Sequence, residues 1–577
     1  MFQLANPSLS RSPPRSRPAA LPVCVAAALL ALLGPAGAQT IAPSQVTPPS
    51  LRPPAPAAAP LSRPGAAETV PRAADDALDV QLEGVEVEGG LPALAAETEA
   101  LRTALAGRRV TLGTIRERTL ALEQAYAARG WFLVRVVLPP QRLVDGGVLR
   151  VVVVDGVIAA IDAQALPARV RAVVERTLAP LVGHRGLRLA EAERRLLLAG
   201  SAAGLRLRST LAAGEAPGSA RLVLDGEHRV ASAGLRLGNT QPRSLGRFDA
   251  QASVALNGAF GAGERLYATL GSGRSPFDED SEHGHLRLVG AGLVLPVGID
   301  GLTLNPEFTD SLTRPIPPPG GLRIRGRLER TALRVALPAL PTSDGPGLGG
   351  QLALEALSQR QEALDFGVDL NRDRYRVLRL GVELLGERGS ASLSWSRGLG
   401  GRDADDARRD GVPLSRQGAE PRFDRLALAL RATQPFGAGW SATVIGLAQG
   451  AFGKPLLVPE QFALSGPDAL SAFSPGALPV DQGATLRAEL SPPPNVVPAE
   501  AAARMSPYAF FAAGRGRVFE PTGAEAASLG ARSAGFGLRA IATGLPLGVQ
   551  LELARRFGAP DREIADWRVQ FTLSLGL

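Results

Sequence analysis

The chain changes texture near residue 229. Beyond it, apolar and polar residues alternate in short runs separated by turn residues, the period-two pattern of strands with one oily and one wet face. Phe248, Ala250, Ala252, Val254 and Leu256 share a side opposite Asp249, Gln251, Ser253 and Asn257. Leu378, Leu380, Val382 and Leu384 oppose Val377, Arg379 and Glu383, and Leu426, Leu428 and Leu430 oppose Arg425 and Arg431. In the final run, 567–577, Val569, Phe571, Leu573 and Leu575 fall on one side. Residues 229–577 have room for sixteen strands of about 10–12 residues, which predicts an all-β, 16-stranded antiparallel transmembrane barrel. Two stacked soluble sheets share this alternation. Their cores ordinarily carry more aromatics than the 5% of this chain, and a barrel commonly closes on its last strand.

Before that region helical periods mix with strands. Residues 77–156 and 157–228 follow one plan of a strand, one or two helices and two strands. In the first, Val80, Leu82, Val85 and Val87 alternate, Leu94, Leu101 and Leu105 mark one helix, and Ile115, Leu120, Leu122 and Tyr126 stripe a second. Gly130 ends that helix, 131–138 reads as a strand, and 148–154 is a β-branched run. The second has strands at 157–161, 205–211 and 220–224 with helices near 167–181 and 188–199. Both are small α+β modules.

The N-terminal 38 residues hold three arginines, an apolar run over 21–33 and Ala36-Gly37-Ala38, a secretory signal with cleavage expected after Ala38. Residues 39–76 are rich in Pro and Ala and read as an extended linker. Cys24, the single cysteine, lies in the signal, so the mature chain has no disulfide to stabilise it. Four histidines leave little for a metal site, and His283-Gly-His285 reads as a solvated loop. We expect no metal, no cofactor and no catalytic residue. Arginine supplies nearly all of the 63 cations, spread among 55 acids, so nucleic acid is not an expected partner. Gly345-x-Gly347-x-x-Gly350 precedes an alternating strand instead of opening a helix, and so reads as a turn.

More specific motifs follow. Tyr126, Gly130, Leu138-Pro-Pro-Gln141, Asp145-Gly146, the 151–154 run, Asp155-Gly156 and Ile158 resemble the polypeptide-transport-associated (POTRA) module of two-partner secretion transporters. Glu193, Leu198, Gly204, Leu205 and Gly218 through Leu222 resemble that family's second module. Gly238-Asn239-Thr240, Gly246-Arg247-Phe248, Glu460-Gln461-Phe462, Gln482-Gly483 and Gly535-Phe536-Gly537 are similar to its barrel. The resemblance covers nearly all of the chain from residue 77. It implies a hemolysin-activator-type translocator in the outer membrane of a Gram-negative bacterium, monomeric and in contact with outer-membrane lipid, whose modules stand in the periplasm and whose partner is one large secreted hemolysin or adhesin.

Two departures go with it. The family's loop folded into the barrel carries a Val-Arg-Gly-Phe/Tyr element, and alignment through Phe462 puts Leu470-Ser471-Ala472-Phe473 there, with Ser471 for the arginine. The wall strand that offers an aspartate reads Phe510-Phe511-Ala512-Ala513-Gly514, with Ala512 for the acid. Loss of both leaves no stranded charge, so the loop is expected inside the lumen, either held by Phe473 and neighbouring polar contacts or more mobile than in the family. The exported chain is expected to add a strand to the first module, along a groove of Trp131, Leu133, Arg135, Val137 and Gln141 beside the 112–129 helix. The alternatives are a barrel-insertion or lipid-handling factor of the same plan, and a passive pore. An enzyme is not expected.

Overall fold

The computed structural model describes residues 41–53, 78–216, 218–273, 284–493, 503–558 and 566–577. The signal segment, His283 and the linker after Pro53 lie outside these residues.

The first module runs β1 (Asp79–Glu88), α1 (Ala95–Leu105), β2 (Arg109–Thr111), α2 (Leu112–Ala128), β3 (Arg135–Val137) and β4 (Gly147–Val154). Its sheet order is β2-β1-β4-β3, with β1 and β4 parallel. Alternate residues Val80, Leu82, Leu149, Val151 and Val153 face Leu101, Leu105, Ile115, Leu122 and Tyr126 from the two helices in one dry core. Thr111 starts α2 by accepting the Thr114 N–H at its side-chain oxygen. The second module runs β5 (Val157–Asp162), α3 (Ala168–Leu178), α4 (Leu189–Gly200), β6 (Leu205–Ala213) and β7 (Ser219–His228), with sheet order β5-β7-β6.

One expected strand is corrected. Residues 131–134 form a turn, and only Arg135–Val137 are strand. The turn divides its side chains between two cores. Trp131 and Val134 pack into the first module, while Phe132 and Leu133 pack into the second. Alternation across a joint between modules is thus indistinguishable in sequence from alternation across a sheet.

The remaining chain closes as a barrel of sixteen antiparallel strands, from Ala231–Gly238 to Trp567–Gly576. Strand Asp249–Asn257 is exposed at Val254 and Leu256 and buried at Asp249 and Asn257. Leu380, Val382 and Leu384 likewise point out while Val377 is buried. Neighbouring strands join in sequence order by ladders, as at Ile324–Leu337 and Gly347–Ala363. The exception is the seam, where the last strand meets the first through only five residue pairs, Gly234–Gly238 against Thr572–Gly576. Asn239 continues the ladder with its side chain, accepting the Phe571 N–H at 2.7 Å and donating to the Val569 carbonyl at 3.1 Å.

Candidate functional site: an occupied, ion-paired lumen

Inward-facing positions of successive strands build a continuous charged lining. Glu307, Arg334, Glu355 and Arg379 form a chain of contacts at 3.1, 3.4 and 3.0 Å. The chain ends on Glu460, which belongs to the 451–481 connection folded back into the barrel. Glu460 is fully buried. Its carboxylate accepts from Arg379 at 2.8 Å and the Tyr375 hydroxyl at 2.9 Å and is ion-paired with Arg425 at 3.2 Å. The second fixed point of this loop is Asp481, reached by Arg416 at 2.7 Å and by the Leu456 and Phe519 amides at 3.0 and 2.7 Å. Gln461 touches Asp481 at 3.3 Å, and Phe462 pairs with Val480 across a two-residue ladder. Glu460, Gln461 and Phe462 thus tie the loop to the wall and to itself.

The divergent element lies deeper. Leu470, Ser471, Ala472 and Phe473 are all buried, and Phe473 packs in one cluster with Leu464, Leu478, Val480, Tyr508, Phe510 and Ala512. No loop arginine is there to supply the charge, and the wall supplies it instead. Arg487, on strand Gln482–Ser491, sits directly across the ladder from Ala512. Its guanidinium binds Glu489 at 2.8 Å and Glu552 at 2.7 Å, stacks 3.8 Å from the Phe510 ring and donates to the Ser471 hydroxyl at 3.0 Å. Gln570 donates to the Ser471 carbonyl, and Arg539 completes the charge balance on Glu489 at 2.9 Å. Two cations therefore meet two carboxylates, and the loop contributes only a hydroxyl and a carbonyl. The small Ala512 leaves room beside the guanidinium. Gly514 lies behind Leu470, whose methyl would stand 3.2 Å from a Cβ there.

A second occupant was not legible. Residues 41–53 of the Pro-rich stretch lie inside the barrel, with a single 3-10 turn at Pro43–Gln45 and no α-helix. Ala42, Pro43, Thr47 and Leu51 are buried. A proline-rich sequence looks the same whether it spans solvent or a pore, so nothing in its composition marks the difference.

Below the barrel, the residues expected to form the docking groove do not share one face. Trp131 is held between Tyr126, 6.3 Å away, and Arg188, 6.0 Å away. Leu133 packs on the second module. Arg135 pairs with Glu123 at 3.2 Å and Val137 is exposed. The Gln141 amide takes both the N–H and the carbonyl of Arg150, at 2.9 and 2.8 Å, and so closes that stretch of the β4 edge. Glu123 accepts the Val136 N–H at 3.0 Å. In the second module β6, nine residues long, pairs on one side only.

A family model described as haemolysin secretion/activation protein ShlB/FhaC/HecB matches residues 218–540, and a model of the ShlB-type POTRA domain matches residues 80–156. The chain belongs to the haemolysin secretion/activation family. It is an outer-membrane translocator of two-partner secretion, with POTRA structure on the periplasmic side of a 16-stranded barrel. Solved structures agree with this fold in outline. The structure is similar to CdiB from Escherichia coli, with TM-score 0.66 at 17% identity over 96% of this chain and 98% of that one. CdiB from Acinetobacter baumannii gives TM-score 0.58 at 16% identity over 86% and 90%. BamA from Haemophilus ducreyi lacking POTRA domains 1–3 gives 0.50 at 12% identity over 87% and 100%. No match was found among curated protein sequences.

Proposed function

We propose that this translocator captures one large exoprotein of the two-partner type, unfolded, on the strand edges of its modules and passes it through the lumen without nucleotide. The observation that carries the reading is the lumen itself: a polar, ion-paired passage filled by two chain segments, 41–53 and 451–481, that are held by side chains of the wall and not by a β-ladder. Segments held in this way can shift without opening the barrel. Folding of the exported chain outside would then make its return unfavourable. On the modules, β6 offers a longer unpaired edge than the β3 edge, where Glu123 and Gln141 already take main-chain groups. Arg135 and Val137 lie beside that second edge. In this reading residues 77–156 and 157–228 are the two periplasmic modules, 229–577 is the barrel, and a single closed barrel acts as a monomer in outer-membrane lipid. Deleting residues 77–228 should abolish appearance of the exoprotein in the medium while the barrel still shifts its gel mobility on heating. Unchanged export would overturn the docking step.

A further inference from the structure

Residues 41–53 are bound by their main chain. Arg330 donates to the Pro48 carbonyl at 2.8 Å and Arg334 to the Pro49 carbonyl at 3.2 Å. The Ser44 N–H reaches Gln359 Oε1 at 3.1 Å, and the Leu51 N–H reaches Glu307 at 3.0 Å. Against these four main-chain contacts, the Ser50 hydroxyl on Glu307, at 3.1 Å, is the side-chain hydrogen bond to the wall among the described residues. Two side chains are read by shape: the buried Pro43 ring, 2.7 Å from where a Cβ at Gly326 would stand, and Leu51. Leu51 enters a socket of Ala255, Tyr267 and Leu288, floored by Gly290, where a Cβ would stand 2.2 Å from the leucine methyl.

This cradle is organised by the barrel and not by its occupant. Tyr267 donates to Glu307 at 2.7 Å, Arg334 pairs with Glu307 at 3.1 Å, and Glu355 takes Arg334 from the other side at 3.4 Å. Arg330 Nε and Gln359 Nε2 are buried and meet no acceptor among the described residues, so donors remain for a chain in a shifted register. Pro48 and Pro49 have no N–H, so the occupant cannot zip onto the wall as a strand, and its departure breaks no ladder.

We propose that the lumenal faces of strands Leu302–Thr313, Ile324–Leu337 and Gly347–Ala363 form a binding site for extended polypeptide that reads main-chain carbonyls and amides, with Arg330, Arg334, Glu307 and Gln359 as its contacts. Residues 41–53 are its tethered resident, and the exported chain takes their place in transit. The last clause rests on the export reading above; the binding chemistry does not.

Single-channel conductance of the full-length protein in planar bilayers tests it. Removing residues 41–53, or evicting Leu51 with Gly290→Ala, should raise conductance. A synthetic peptide of residues 41–53 should then block the deletion variant. A scrambled peptide that keeps the prolines and Leu51 in place should block within about threefold of the same concentration. N-methylation of the peptide at Ser44 and Leu51, or Arg330→Gln in the channel, should raise the half-blocking concentration about tenfold or more. Block by the native order alone, or no block by either peptide, overturns the site. These outcomes are independent of export: a chain that fails to secrete any exoprotein but shows the block sinks the export reading and leaves the peptide site standing.

Discussion

The modules and the barrel use the same strand period and bury opposite things. In the first module the inward face is Val80, Leu82, Leu149, Val151 and Val153, and its ion pairs Arg109–Asp79 and Arg150–Glu88 stand in solvent. In the barrel the apolar face looks out at Val382, Leu393 and Val569, and the buried side chains include Arg487, Glu489 and Glu552. Alternation therefore encodes two chemistries on two faces, and closure of the sheet decides which becomes the interior. It also sets what a charge is worth. A pair in solvent contributes little because water serves either ion alone, whereas a guanidinium in the lumen depends on its carboxylates.

The sharpest break between the two regions comes from deleting one carboxylate in each. Glu460→Gln leaves Arg379 and Arg425 facing each other without their shared acid, which should cost about 3–5 kcal/mol. The measurement is the temperature at which the barrel loses its compact gel mobility. Glu88→Gln in the first module, where the partner Arg150 is exposed, should leave that temperature unchanged. Equal effects would mean that the lumen is as wet as the module surface.

A smaller effect tests the exchanged lock. Ser471→Arg places a second guanidinium beside Arg487 and should destabilise the barrel, whereas with Ala512→Asp the two guanidinium groups gain an acid on the wall, at the position that faces Arg487 across the ladder. The pair should couple by about 0.5–3 kcal/mol in thermal unfolding. Strict additivity would show that residue 471 does not approach the wall at 512.

The smallest effect belongs to the module surface. Asp145 accepts the Gln81 N–H at 2.8 Å and lies 2.9 Å from Arg109, and these contacts hold its carboxyl below its ordinary value of 3.8. A depressed acid stabilises the folded form above that ordinary value and loses the contribution as pH falls through the folded one. Hydrogen-exchange protection at the start of β1 should therefore weaken below about pH 4 in the intact protein, and Asp145→Asn should remove that acid step. Unaltered pH dependence in the variant would assign the step to another carboxylate.

Closed barrel and modules were legible because alternation and helical stripes are local signals, repeated many times. The turn at 131–134 was not, because two cores interleave there in the manner of two sheet faces. Ser471 and Ala512 were visible as a joint departure, but their replacement was hidden: Arg487 and Glu489 alternate along their strand like any wet-face residues, and their meeting with Glu552 depends on barrel curvature. Glu460 was found by motif, while its partners Arg379, Arg425 and Tyr375 lie on strands far from it in sequence. The prolines of 48 and 49 announced an extended chain and gave no hint of its surroundings.

The five-pair seam carries a consequence for biogenesis. Every other strand meets a neighbour synthesised just before or just after it, but closure joins residues separated by the whole length of the barrel, so it raises the contact order in one final step. Until residues 567–577 arrive, the sheet has two open edges and no inside, and its lumenal charges have no enclosure to share. Without strand Trp567–Gly576 its two neighbours would each keep an unpaired edge, so enclosure of the charged lumen depends on that one strand.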